Sequence, residues 1–406
     1  MRLRRAPRFL PAAFAVTNFV IPFFPAFITL TAVTVPGVSL VPRWFAIALL
    51  ALMALIALYA TVTLLIPPRE TPPTMWPLLG WLGAALLSAA LGFDPRDGLL
   101  FIAIFGLALI WHLAILRYYR APGVSRAIFA SYLISGGLAS LAAIVMVVTR
   151  LPAAQYAIGN GRAIGTFILS GELAGYLIIF LPIAFAVARV SLDARMRALA
   201  WSALAIGSVA FILTYSRAGW IGLAAAIAFY LFVGGHVRRR YAPLILLAGL
   251  AAVLVAFNVR HNPSENYTRL SIWQAGIEIV RRFPLTGVGP FDFARIYALV
   301  RLPDGDAAAF HAHSFLLTIF AETGLIGLLA VLVAWWRFAL ELVRRLRVAS
   351  PANAAIALAV AAGLVGTWVQ GLIDTVSVVI FGLWLPSMAL ALVTAADGLG
   401  EQPRSP

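Results

Sequence analysis

Apolar residues run in long unbroken stretches along this chain, separated by short links that carry arginine, proline or glycine. Each stretch approaches the roughly twenty apolar residues that a helix needs to cross the hydrocarbon core of a bilayer. Twelve of them predict membrane helices at 9–33, 44–66, 76–92, 99–116, 127–148, 171–188, 198–214, 220–233, 243–257, 324–342, 355–373 and 376–395. The first follows basic residues, as a signal peptide would. It is longer than a signal h-region, contains Pro22 and Pro25 and lacks a clear small-residue cleavage site, so it reads as the first helix. The expected fold class is an all-α polytopic membrane protein of about 12 transmembrane helices, with one large periplasmic loop containing short helices. Helices one to nine fill 1–257, the loop fills 258–323, and the last three helices and a cytoplasmic tail fill 324–406.

Inside the loop, 271–283 places Trp273, Ile277 and Val280 at helical spacing, with Ser271 and Gln274 set like a capping box. Arg281 and Arg282 suit the negative end of that helix and Pro284 stops it. The glycines of 285–290 predict a turn.

Composition sharpens the class. Of 406 residues, 63% are hydrophobic and 11% charged, against about 45–50% and about a quarter in soluble domains. A soluble enzyme, a secreted domain, a disordered tail and a coiled coil are excluded. Cysteine is absent, which removes disulfides, iron–sulfur clusters and cysteine-held zinc. The net charge of +15 arises from thirty basic residues, all arginine, and fifteen acids. With the N-terminus inside, nineteen arginines fall at cytoplasmic ends; that face then carries +14 and the outer face +1. The excess is a positive-inside signal with both termini cytoplasmic, and it requires no nucleic acid partner.

Candidate chemistry gathers on the outer face. His261, His311 and His313 lie in the loop, and His311-Ala312-His313-Ser314 stands about ten residues before the helix expected at 324. A neutral imidazole at that height suits removal of a proton from a sugar hydroxyl. The plain alternative is an interfacial histidine bonded to water. No metal is expected on His311 and His313, because no carboxylate pair stands at ligand spacing. Arg217, within Thr214-Tyr215-Ser216-Arg217-Ala218-Gly219-Trp220, either snorkels or meets an anion. Arg162, within Gly161-Arg162-Ala163-Ile164-Gly165-Thr166-Phe167, offers a bidentate fork to phosphate among small residues that let backbone approach a ligand. Arg269 begins the loop helix and Arg282 ends it; each faces either solvent or a pyrophosphate. Together these groups suit an anionic lipid phosphate. A diphosphate is already a good leaving group and needs cations to hold its growing charge.

The spacing His313-Ser314, nine residues, Gly324, two residues, Gly327 resembles the signature of bacterial O-antigen ligases. Ser216-Arg217-Ala218-Gly219 resembles that family's Ser-Arg-Gly block, and Arg162 to Leu177 its Arg-x-x-Gly-Thr-Phe…Ala-x-Tyr-Leu block. Pro284-Leu285-Thr286-Gly287-Val288-Gly289 is similar to its Pro-x-x-Gly-x-Gly turn. The family's Asn-Pro-Asn is replaced here by Leu169-Ser170-Gly171-Glu172, and Ser314 stands where Asn is commoner. The resemblance covers about 161–374 and is specific for the O-antigen ligase/polymerase superfamily. It implies an inverting glycosyltransferase of the bacterial inner membrane, with no metal and no cofactor. Such an enzyme moves a glycan from undecaprenyl pyrophosphate to a hydroxyl of the lipid A–core oligosaccharide on the periplasmic face, in lipopolysaccharide biosynthesis. By position, His313 is the implied base, or orients the acceptor hydroxyl, and Arg217 is the implied catalytic pyrophosphate ligand. Arg269, then Arg282, is the implied loop arginine beside it, with Arg162 and His311 in support.

The polymerase and the protein O-oligosaccharyltransferase of the same superfamily share the donor half of such a site and differ in the acceptor. A lipid-linked glycan transporter or flippase is the reading from another class. It calls for internal symmetry and ionisable groups near the midplane, whereas His112 is the one ionisable residue expected deep in a span.

Overall fold

The computed structural model describes residues 10–20, 75–348 and 351–374, apart from 120, 122, 192, 237, 304, 307, 308 and parts of 242–262. Phe23, Leu392, Val393 and Ala396 are also described. The spans expected at 44–66, most of 243–257 and nearly all of 376–395 lie outside the described residues, as do the second half of 9–33, His261 and the side chain of His112.

Among the described residues there is no strand. The chain runs through α1 (Leu10–Val20), α2 (Met75–Leu91), α3 (Pro95–Tyr118), α4 (Val124–Thr149), α5 (Ala153–Ile158), α6 (Ser170–Val190) and α7 (Ala194–Leu213). It continues through α8 (Arg217–Val233), α9 (Pro263–Arg282), α10 (Phe293–Val300), α11 (Phe315–Val348) and α12 (Pro351–Ile373). The helices α4, α6, α7, α11 and α12 are long and apolar enough to cross a membrane; α2 and α8 are apolar but shorter. Seven expected spans, from 76–92 to 220–233 and at 355–373, coincide with α2, α3, α4, α6, α7, α8 and α12 to within about one helical turn.

A helix that is apolar on every side belongs inside a bundle. The middle helix α6 is of this kind: Leu173 to Leu181 are buried without a break. It packs against α7, α8 and α12, while α4 pairs with α1 and α7, and α2 with α3 and α11. The first turn of α6 therefore emerges at the centre of one end of the bundle, and that end carries the site.

Two expectations are corrected. The loop helix begins at Pro263 rather than at Ser271. Ser271 is mid-helix and buried, its hydroxyl donating to the Thr268 carbonyl at 2.8 Å, so no capping box forms there. The apolar pattern that follows Thr268 is the part of the helix facing a core, not its start. The helix expected at 324 begins instead at Phe315, two residues after His313, and runs through Gly324 across a break where φ is 64° and ψ −169°.

The loop has its own small core of Ile272, Ala275, Ile279, Val288, Phe293, Ile296, Tyr297, Ala309, Ala312 and Ala321. The Pro284–Gly289 turn is pinned to the break in α11. Val288 and Gly289 donate their N–H groups to the carbonyls of Ala321 and Glu322 (3.0 and 2.9 Å). Leu325 and Ile326 donate back to Pro284 and Leu285 (2.9 and 3.2 Å). A helix that breaks orphans its own backbone groups; here the turn satisfies them. Below the turn, Glu322 accepts the N–H groups of Phe291 and Phe293 at the start of α10. Arg295 binds Asp94 and Asp97 at 3.0 and 3.2 Å, which ties the loop to the α2–α3 corner.

Candidate functional site

His313 is where the loop meets the bundle. Its backbone is left-handed, with φ 46°, in the short link between the loop core and the first turn of α11. Thr318 fixes that link: its hydroxyl accepts the N–H of Ala312 (3.1 Å) and donates to the carbonyl of Ser314 (2.9 Å). The His313 ring, with 22% of its side chain exposed, turns Nδ1 to Oδ1 of Asp374 at 3.3 Å. Asp374 follows the last turn of α12 and is buried. Its other oxygen faces Nη2 of Arg269 at 3.5 Å, and Nη1 of Arg269 donates to the Ile373 carbonyl at 3.0 Å. Three segments far apart in the chain thus meet as an Arg269–Asp374–His313 relay.

The first turn of α6 closes the relay from below. Gly171 lies against Asp374, where a methyl group in place of its hydrogen would come within 2.6 Å of Oδ2. Gln370 of α12 donates to the Gly171 carbonyl at 2.7 Å. Glu172, buried in that turn, folds back so that Oε2 accepts the N–H of Ile168 at 3.2 Å, as an acid near a helix N-terminus should. The residues that replace Asn-Pro-Asn thereby supply a small residue against Asp374 and a carboxyl that holds the N–H of Ile168 just ahead of α6.

Arg217 stands at the first position of α8, on the same side of α6. Tyr215, with φ 47°, ends the preceding helix, and Ser216 starts the next by accepting the N–H of Gly219 on its hydroxyl at 3.1 Å. Gly219 brings α8 against Ala174, one turn along α6 from Gly171. One guanidinium nitrogen of Arg217 is buried, which is the posture of a side chain held in a site rather than one stretched to bulk water. The N–H of Ala163 donates to the Leu213 carbonyl at 2.9 Å, so the loop bearing Arg162 is fastened beside the start of α8. A helix N-terminus with its positive dipole end, flanked by arginines, is a site for an anion.

The candidates do not all gather here. Arg282 lies thirteen residues beyond Arg269 on α9, about 20 Å along the axis at the helical rise, and pairs with Glu278 at 2.8 Å. His311 lies against His313, ring centroids 4.4 Å apart. Among the described residues no group of three His, Cys, Asp or Glu side chains is arranged to hold a metal. Asp374 is a candidate that no motif in the sequence singles out. Its signal was an acid at the very end of an apolar helix, where an ionisable group is costly unless paired. Glu172, in the first turn of α6, and Glu322, ahead of the break in α11, are also buried.

The electrostatics are consistent with the geometry. Burial alone would raise the Asp374 carboxyl, but the His313 contact and the Arg269 charge outweigh it and hold the group at about 2. His311 goes the other way: burial, reinforced by the neighbouring His313, lowers it to about 3 and keeps the ring neutral. A fixed carboxylate therefore faces one nitrogen of His313 across the pH range of ordinary chemistry, an arrangement that orients an imidazole for proton transfer.

No curated protein matches the chain. A family model described as O-antigen ligase matches residues 201–332, a stretch that holds Arg217, Arg269, His311 and His313 and leaves Arg162 and Asp374 outside it. Several apolar helices are long enough to cross a membrane, and the part of the chain that supplies His313, Arg217 and Arg269 is similar to the O-antigen ligase family model.

Proposed function

We propose that this protein is an O-antigen ligase: it transfers a glycan from undecaprenyl pyrophosphate to a hydroxyl of lipid A–core oligosaccharide, at the periplasmic face of the bacterial inner membrane. The observation that carries the reading is the 3.3 Å approach of His313 Nδ1 to Asp374. A carboxylate on Nδ1 fixes the tautomer with its proton there and leaves Nε2 as the basic nitrogen. Nε2 takes the proton of the acceptor hydroxyl as that oxygen attacks the anomeric carbon. The bond from that carbon to the diphosphate oxygen breaks with inversion, and the lipid diphosphate departs with its electron pair. Asp374 stabilises the imidazolium that results. No metal is required, because the leaving charge falls on Arg217 and Arg162 at the N-terminus of α8. Arg269 serves through Asp374, on which its guanidinium is already engaged.

Labelled undecaprenyl-pyrophosphate-linked glycan, supplied to the purified protein with lipid A–core, tests the reading. Label on lipid A–core is expected. Longer chains still on the carrier lipid would make the protein a polymerase instead, and transfer in detergent with no gradient rules out a pure transporter. Two substitutions divide the arginines. Arg217→Ala should lower transfer by about 10²–10³-fold, the usual loss when a donor to developing negative charge is removed. Arg282→Ala should stay within about twofold of wild type, since exposed i,i+4 pairs contribute little. Initial rates at saturating acceptor check both.

A further inference from the structure

His311 is buried, 4% exposed, and wedged between the rings of Phe310 and His313. Its Nδ1 accepts the backbone N–H of His313 at 3.1 Å. A nitrogen that accepts carries no proton, so the ring is in the Nε2–H form. Nε2 itself is buried and makes no hydrogen bond among the described residues. The titratable and charged groups facing the ring are His313, Asp374 and Arg269, and burial with the neighbouring imidazole keeps it uncharged. The residue that this ring holds, His313, has a left-handed backbone, an uncommon conformation for a side-chain-bearing residue.

We propose that His311 is a positioning residue for His313: the Nδ1 lone pair pins the His313 backbone in its left-handed turn and so aims the His313 imidazole at Asp374. Without that acceptor the turn relaxes, and the ring swings off the line between carboxylate and acceptor hydroxyl. The proposal rests on the reading of His313 as the base, and its two tests fail separately from that reading.

The first test needs no substrate. Nitrogen-15 spectra of the histidine rings in the full-length protein, in detergent, should show His311 with a protonated Nε2 and an unprotonated Nδ1 down to pH 5. A protonated Nδ1 or a doubly protonated ring overturns the proposal, whatever reaction the protein catalyses. The second compares His311→Leu with His311→Asn, using labelled undecaprenyl-pyrophosphate-linked glycan and lipid A–core. Leucine fills the space and cannot accept; asparagine places Oδ1 close to where Nδ1 stood. His311→Leu should lower kcat by about 10²-fold, the penalty of a misplacement on the order of 1 Å, with the donor KM within about twofold. His311→Asn should recover to within about fivefold of wild type on the same scale. Equal impairment in the two variants, or a leucine variant at the wild-type rate, overturns it. If transfer persists in His313→Ala, the functional reading fails while the spectra still decide the state of His311.

Discussion

On the proposed function, His313→Ala is expected to lower glycan transfer by about 10²–10⁴-fold, the range for loss of a general base, and to leave the protein folded. The fold survives because the substitution orphans no buried charge. Asp374 keeps Arg269 at 3.5 Å, and the backbone bond from residue 313 to His311 does not need the ring. Donor affinity should be retained as well, because the diphosphate is assigned to Arg217 and Arg162. The expected pattern is a collapse of kcat with the donor KM and the melting temperature near wild type. An alanine variant that keeps a tenth or more of the activity would remove His313 from the role of base. Asp374→Asn is the companion: an amide on Nδ1 no longer selects the tautomer, and a fall of about 10²-fold or more is expected. The carboxyl, 3.8 when unperturbed, is held at about 2. A depressed acid stabilises the fold above its unperturbed value and loses that contribution as the pH falls towards the folded one. The Asp374 carboxylate therefore stays charged from neutral pH down to about 4, and loss of rate above that point is not due to its protonation.

The helices were legible because their signal is length and hydropathy, which a bilayer enforces on each segment separately. Seven spans read from apolar runs alone coincide with helices, and the glycines of 285–290 with a turn. The candidate site was legible in half. His313 and Arg217 stood out as polar residues among small ones at the ends of apolar runs, and the resemblance supported them. Asp374 and Gly171 did not, because their meaning lies in contact across some two hundred residues of chain and neither local composition nor spacing records it. Ser271 misled for a related reason. A serine ahead of an apolar stripe is the pattern of a helix start, but the same pattern arises where a longer helix first touches a core. The start of α11 was misplaced because Glu322, Thr323 and Gly324 interrupt an otherwise apolar run and read as a boundary. The residues ahead of that boundary are helical because they pack on the loop core through Ala321 and on the bundle through Phe315 and Ile319.

Gly324→Ala should be the most damaging substitution for the fold. The break at this residue has φ 64° and ψ −169°, a region open in practice to glycine alone and costing a side-chain-bearing residue about 1–3 kcal/mol. Space is lacking too: a methyl group there would collide with the carbonyl of Leu285, which is backbone and cannot swing aside. Relief requires the Pro284–Gly289 turn to leave the break, and four backbone hydrogen bonds would then go unmade in a buried setting. The expected result is a fall in melting temperature large enough to reduce the yield of folded protein, with little transfer from what remains. Gly327→Ala is the control. Its methyl would press on Thr323, including the Cβ that no side-chain rotation moves, but its backbone is that of the continuing helix; a loss of stability from crowding alone, without backbone strain, is expected. The piece of α11 between the break and Phe315 is short and carries His313 at its head, so the turn that pins the break also sets where the imidazole stands relative to Asp374. A Gly324→Ala protein that melts like wild type yet transfers poorly would place the purpose of the break in aiming that piece. One that melts early and transfers normally per folded molecule would place it in holding the loop.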